Sequence, residues 1–380
     1  MKNAYILICF SVFLLGFSQE ATSLNPGNNS FLRGEFKQVL QEKFPISPDG
    51  QIDIESRYGQ LQFETWDKNE VDIEVTINVK ANNQATADEV FERISVDFSN
   101  SKTLVTATTE IAPQKKGWKF WGGNSDHEFK INYLIKMPAS LDLDVTHAYG
   151  SVILPDVTGN ADLELSYSEM ATGSFGGNVD LNLRYSEARM ASVKNLRADV
   201  RYSELKLDAA NDLEIESGYS NVRVNSTNEV SVESSYDQYE FGQIARLVNE
   251  GRYDDFEIGA AADIVTESRY SNYLVDLLSN RAVFEMEHGS VNIKKLAQGF
   301  DAVVFKGRHA GIQIQPEDAA SYSLEIDGRY TGVNVPNDLK TIHVFEDHND
   351  YELKAIVGND SKPTSRIVLD TDYGYIQIKD

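Results

Sequence analysis

Tyr149, Tyr167, Tyr185, Tyr202, Tyr219, Tyr236, Tyr253 and Tyr270 follow one another at intervals of 18, 18, 17, 17, 17, 17 and 17 residues. A period held this tightly constrains the fold more than anything else in the chain. A segment so short cannot bury an apolar face alone, so successive copies must stack on one another. His288, His309, Tyr330, His348 and Tyr373 continue the series at looser spacing, and Tyr58 is an isolated early member. Most of the 18 tyrosines of this 380-residue chain fall in the series.

The flanks of each aromatic repeat as well. Apolar residues stand at −6 and −4, often at −2, and a second apolar pair follows at +3 and +5. Leu181, Leu183, Tyr185, Ala188 and Met190 show it early; Ile367, Leu369, Tyr373, Ile376 and Ile378 show it late. Alternation of period two on each side predicts two half-buried strands. The step to +3 instead of +2 breaks the alternation at a Ser, Gly or Asp, as a corner or bulge requires. The predicted fold is therefore all-β: a flattened parallel β-solenoid of 17–18-residue rungs, about 4.8 Å apart. Spacing from the −4 and −6 residues puts the aromatic column on the inner face, as an internal stacked ladder. Exposed, the same ladder could stack on sugar rings. The uncapped look of Tyr375-Ile376-Gln377-Ile378 leaves end-to-end pairing of chains open.

The rest of the chain divides around this array. Met1 to Ser18, with Lys2 before an apolar stretch from Ala4 to Phe17, reads as a secretory signal, too short for a permanent membrane anchor. The only cysteine, Cys9, lies inside it after Ile8, where a lipoprotein signal would place a small residue, so the exported chain has no thiol chemistry. Residues 19–43 read as a flexible leader. Residues 44–140 hold a first rung around Tyr58 and a small β-rich cap with one short helix between Ala85 and Ile94; residues 141–380 form the repeat domain. Caps are expected because an open array end presents unpaired strand edges.

Charge narrows the function. With 35 Lys+Arg against 59 Asp+Glu the net charge is −24, which repels nucleic acid. Arginine recurs at −1 (Arg57, Arg184, Arg201, Arg252, Arg269, Arg308, Arg329) and acid at +2 (Glu169, Glu187, Glu204, Asp255). Stacked carboxylates repel, so either the arginines neutralise them across the corner or a cation such as Ca²⁺ binds along the column; the arginines are already present and are preferred. Trp118-Lys119-Phe120-Trp121, after Lys115 and Lys116, is the most unusual local sequence, and Trp118, Phe120 and Trp121 form the candidate interaction tip. No HExxH, GxSxG or phosphate-binding glycine loop is present, and three of the six histidines (His288, His309 and His348) merely replace tyrosine in the column. No catalytic, cofactor or metal residue is assigned.

The repeated Tyr-Ser/Gly units, the Phe44-Pro45…Tyr58-Gly59…Glu64-Thr65-Trp66 opening and Ile131-Asn132-Tyr133…Met137-Pro138 resemble the bacterial β-strand-repeat family named "putative adhesins", over roughly residues 40–380. The resemblance implies an exported envelope protein of repetitive β architecture, and it carries over no site residues. The expected function is that of a non-enzymatic, adhesin-like solenoid of the periplasm or cell surface, with a protein or glycan partner. The alternatives are a periplasmic scaffold or sensor partner, or a polysaccharide-acting β-helix enzyme.

Overall fold

A computed structural model describes residues 34–113, 127–337 and 339–379. The expected signal, the leader up to residue 33 and the Trp118/Phe120/Trp121 tip lie outside the described residues.

The N-terminal part is built from β1 (Gly34–Pro45), β2 (Gln51–Thr65), β3 (Glu70–Ala81), helix α1 (Gln84–Phe91), β4 (Ile94–Asn100), β5 (Leu104–Ile111) and β6 (His127–Met137). Residues 34–43 were expected in the leader, but they form most of β1, which pairs antiparallel with β3 along its whole length. Partial burial of Phe36, Leu40 and Phe44 against the core holds this strand in place. β2 splits its partners at Tyr58. Its first half pairs with β5 and its second half with β6, both parallel, while its other side pairs with β7 (Asp142–Leu154). The segment from Trp66 to Pro138 is thus an insertion, and Tyr58 and Tyr149 become neighbours across it. Asn83 caps α1 by accepting from the Thr86 N–H, and Ala87 and Val90 are buried beneath the helix.

From β7 onward the strands are β8 (Ala161–Thr172), β9 (Phe175–Arg184), β10 (Glu187–Arg201), β11 (Glu204–Gly218), β12 (Asn221–Ser235), β13 (Gln238–Arg252), the long β14 (Asp255–Leu296) and β15 (Ala302–Pro316). Neighbours pair parallel and in register, with Leu143 opposite Ala161, Ala161 opposite Val179, Glu187 opposite Glu204 and Gln238 opposite Asp255. Apolar residues at −4 and +3 are buried in unit after unit, as with Leu163, Met170, Leu181, Ala188, Ile215, Val222, Val232 and Tyr239. Tyr239, Phe256 and Tyr273, all at +3, stack inside at 4.7 and 4.8 Å.

The chain order breaks at the end. β16 (Tyr322–Arg329), β17 (Gly332–Asn334), β18 (Lys340–Glu346), β19 (Asp350–Val357), β20 (Ser365–Asp372) and β21 (Tyr375–Ile378) complete the sheet. The last two strands slot between earlier ones: β20 pairs with β15 on one side and β16 on the other, and β21 with β15 and β17. Tyr375–Ile378 is therefore an inner strand and offers no free end. An antiparallel hairpin of β18 and β19 covers β16 instead. The result is one large, mostly parallel sheet that does not close.

Candidate functional site: an exposed aromatic ladder

The repeated aromatics form one continuous stack. Its order is Tyr58, Tyr149, Tyr167, Tyr185, Tyr202, Tyr219, Tyr236, Tyr253, Tyr270, His288, His309, Tyr373, Tyr330, with ring centroids 4.5–5.1 Å apart and planes within 20°. Tyr373 precedes Tyr330 because the last strands are slotted inward. Phe129 closes the Tyr58 end edge-on at 5.6 Å. His348 was expected in the column, but it is not a member. It sits in the turn between β18 and β19 with its side chain 96% exposed, 3.1 Å from Asp347.

The ladder is not internal, as expected from the sequence, but lies on the outside. Its tyrosines are 38–54% exposed, whereas Tyr133, Tyr239, Tyr273 and Tyr322 are buried. The reason is the backbone. Among the described residues, every non-glycine residue with positive φ is a ladder member, thirteen in all, with φ between 50° and 64°. This left-handed conformation makes the aromatic itself a corner, between two strands at Tyr185 and Tyr202 and within one continuous strand at Tyr58 and Tyr270. Residues at −2 (Leu165, Leu183, Val200) and +1 (Ser168, Ser186, Ser203) both turn inward, which leaves the −1 residue and the aromatic between them on the outside.

Hydrogen bonds hold each corner. The hydroxyl at +1 donates back across the aromatic to the −1 carbonyl, as Ser186 does to Arg184 (2.8 Å), Ser203 to Arg201 (2.7 Å) and Ser220 to Gly218 (2.9 Å). The same oxygen accepts the N–H of the +1 residue of the preceding unit: Ser168 to Ser186, Ser186 to Ser203 and Ser203 to Ser220. In two units an aspartate replaces the serine. Asp237 accepts from the Ser220 N–H, and Asp254 from the Asp237 N–H. Both carboxylates are buried, and burial pushes Asp254 up to about 6, with Asp237 raised for the same reason. The ladder amides pair along the array too, Tyr202 N–H donating to the Gly218 carbonyl at 3.0 Å.

A trough of about 950 Å³ runs beside the rings. Tyr167, Tyr185, Tyr202 and Tyr219 make one wall, Ser168, Ser186, Ser203 and Ser220 the floor, and Glu169, Glu187 and Glu204 the other wall. On the opposite flank a groove of about 560 Å³ is edged by Glu216, Glu233, Glu250 and Glu267, which stand in register one above the next.

The arginines at −1 do not reach across the corner to the +2 acids. Arg184 binds Asp199 (2.7 Å) and Arg201 binds Asp199 (2.8 Å), so they neutralise the strand before the corner. The short distance along their own strand and its neighbour favours this partner. Glu187 is held instead by Arg189 and Lys206, and Glu204 by Lys206. In a further acidic column, Asp53, Asp144 and Asp162, burial first and then neighbouring carboxylates hold all three above the usual carboxylate range. Among the described residues no group of three or more His, Cys, Asp or Glu is arranged to hold a metal, and no helix is long and apolar enough to cross a membrane.

The sequence signal that could have revealed the exposed ladder was present. Inward positions at −2 and +1 lie three apart, and the aromatic is one of the two residues left between them on the outside.

No family model matches the chain, and no curated protein matches it. Solved structures similar to it include two described as "putative adhesins". The first, from Bacteroides fragilis, is 11% identical and aligns over 90% of this chain and 97% of its own, with a TM-score of 0.21. The second, from Parabacteroides distasonis, is 7% identical, with coverage of 90% and 97% and a TM-score of 0.28. A "putative lipid binding protein" from Parabacteroides distasonis is 11% identical over 72% of this chain and 95% of its own, with a TM-score of 0.28.

Proposed function

We propose that the chain is an exported, non-enzymatic β-solenoid of 17–18-residue rungs, acting as an adhesin-like interaction protein at the cell surface or in the envelope. Its binding surface is the aromatic ladder with the trough beside it. The single observation that carries this reading is the conjunction of exposure at the ladder's eleven tyrosines with left-handed backbone at all thirteen positions. For a residue with a Cβ that conformation costs about 1–2 kcal/mol, and glycine or asparagine would fill it more cheaply. Each stacked pair returns only about 0.5–1.5 kcal/mol. Stability alone therefore gives little reason to keep an aromatic at every corner, whereas an outward contact surface does.

The geometry also describes the ligand. Interior rings have both faces against their neighbours, so a partner meets ring edges, phenol hydroxyls and the trough floor, repeated about every 4.8 Å. An extended polymer lying along the array fits that repetition, whether a glycan or an extended protein segment. Each step presents much the same chemistry as the next, where catalysis needs one distinct constellation.

The test compares wild type with a variant carrying Asn, which tolerates the left-handed corner, at Tyr167, Tyr185, Tyr202 and Tyr219. Both are applied to arrays of surface glycans and envelope or matrix proteins. Loss of binding with an unchanged circular-dichroism spectrum is expected; undiminished binding refutes the assignment. A periplasmic scaffold would use the same surface, and protease shaving of intact source cells separates the two: digestion before lysis marks a surface protein, protection until lysis a periplasmic one.

A further inference from the structure

Away from the ladder, the largest concentration of exposed apolar side chains lies on β18. Ile342 is 70% exposed, Val344 55% and Phe345 47%, and all seven residues of the strand are exposed. Among the described residues β18 pairs only with β19, so its other edge carries unpaired backbone donors and acceptors. An open edge with apolar side chains is a template for another strand. Other edges of this sheet are better protected. β1, for example, turns Phe36, Leu40 and Phe44 against the core.

The sequence of β18 selects the occupant. Laid antiparallel against itself about His343, the strand Lys340–Glu346 is its own complement: Lys340 falls opposite Glu346, Thr341 opposite Phe345, and Ile342 opposite Val344. Neither Lys340 nor Glu346 forms an ion pair within the described residues, so both charges are free to meet their counterparts. A two-fold axis repeats each pair at the other end of the strand, as an isologous dimer requires. The register shift between Thr341 and His343 makes Ile342 the extra residue against β19. A bulge of this kind is defined against one neighbouring strand, and here it leaves Ile342 turned outward.

We propose that β18 is a homodimerisation edge, joining two copies of this chain by antiparallel β18–β18 pairing centred on His343. β18 lies beyond the Tyr330 end of the ladder, because β19 separates it from β16. The dimer joins two arrays at their C-terminal ends and leaves both ladders uncovered, so it stands independently of what the ladder binds.

The test is sedimentation equilibrium of the exported chain over a wide concentration range. Wild type is expected to dimerise. Lys340→Glu and Glu346→Lys each place two like-charged pairs across the axis and are expected to weaken the dimer about 10-fold. The double variant restores both pairs and is expected to return to within about 3-fold of wild type. His343→Cys, in an exported chain with no other cysteine, is expected to give a disulfide-linked dimer on mild oxidation. A wild type that stays monomeric throughout overturns the proposal. So does a dimer indifferent to the single reversals, which would place the interface elsewhere, or a pattern in which only a foreign strand-forming peptide occupies the edge.

Discussion

Tyr202 offers the sharpest test of how the ladder is built. It stacks on Tyr185 and Tyr219 at 5.0 Å each, is about half exposed, and has a φ of 52°. Tyr202→Ala removes both stacks, at about 0.5–1.5 kcal/mol each, and leaves a Cβ in the left-handed corner. Tyr202→Gly removes the same stacks but also relieves about 1–2 kcal/mol of backbone cost, less about 0.5–1 kcal/mol for the greater freedom of glycine in the unfolded chain. Glycine should therefore be the more stable variant by about 0.5–1 kcal/mol, although alanine is normally preferred to glycine in ordered structure. Tyr202→Asn should fall near glycine. Urea unfolding followed by far-ultraviolet circular dichroism reads the difference. Comparing two variants at one site removes most of the ambiguity of unfolding a long repeat array as one unit. An alanine variant as stable as glycine, or more so, refutes the claim that the aromatic occupies a strained corner.

Three further outcomes follow from the same geometry. Asp254 has its folded pKa raised to about 6 from 3.8, so the folded state holds the extra proton and stability falls as pH rises from about 4 to 6. Asp254→Ser, the residue found at most neighbouring corners, should remove a loss on the order of 3 kcal/mol, seen as a thermal midpoint that declines less over that window than in wild type. His147 has the opposite sign. Burial lowers it to about 4 from 6.5, so stability is lost as pH falls from about 6.5 towards 4, and His147→Leu, matching Leu165 and Leu183 in the same column, should hold its midpoint at pH 5 better than wild type. Gly150→Ala would place a Cβ 1.8 Å from the Gly59 carbonyl oxygen, prising β7 from β2; a loss of about 2 kcal/mol or more is expected in urea unfolding, and an unchanged midpoint would contradict the packing described at this corner.

The period and the inward positions were legible because burial imposes them directly. Leu163, Leu181 and Leu213 recur at −4 or −6 since each must cover the same interior; the strands of the cap could be read from the same alternation, and the helix near Ala85 from Val90, Phe91 and Ile94 on one helical face. The side of the sheet on which Tyr149 to Tyr270 lie was misread because counting back in twos from the aromatic assumes an extended chain through it. A left-handed residue breaks that count, and sequence patterns rarely assign such a conformation to tyrosine. The slotting of β20 between β15 and β16, and of β21 between β15 and β17, was illegible for another reason. Ile367–Ile378 has the same apolar pattern as Leu324–Val335, so pattern alone does not order them. The partners of the arginines depended on distances that spacing does not supply. Arg184 and Arg201 converge on Asp199, a residue outside both charged columns recognised in the sequence.

The central claim is that the repeated tyrosines form an outward-facing ladder, and nitration of the folded chain, mapped by peptide mass spectrometry, tests it most directly. The account predicts modification along Tyr149, Tyr167, Tyr185, Tyr202, Tyr219, Tyr236, Tyr253 and Tyr270, with Tyr133, Tyr239, Tyr273 and Tyr322 spared until the chain is unfolded. Protection of the periodic tyrosines in the native protein, with the four others no better shielded, would contradict it and return the ladder to the core.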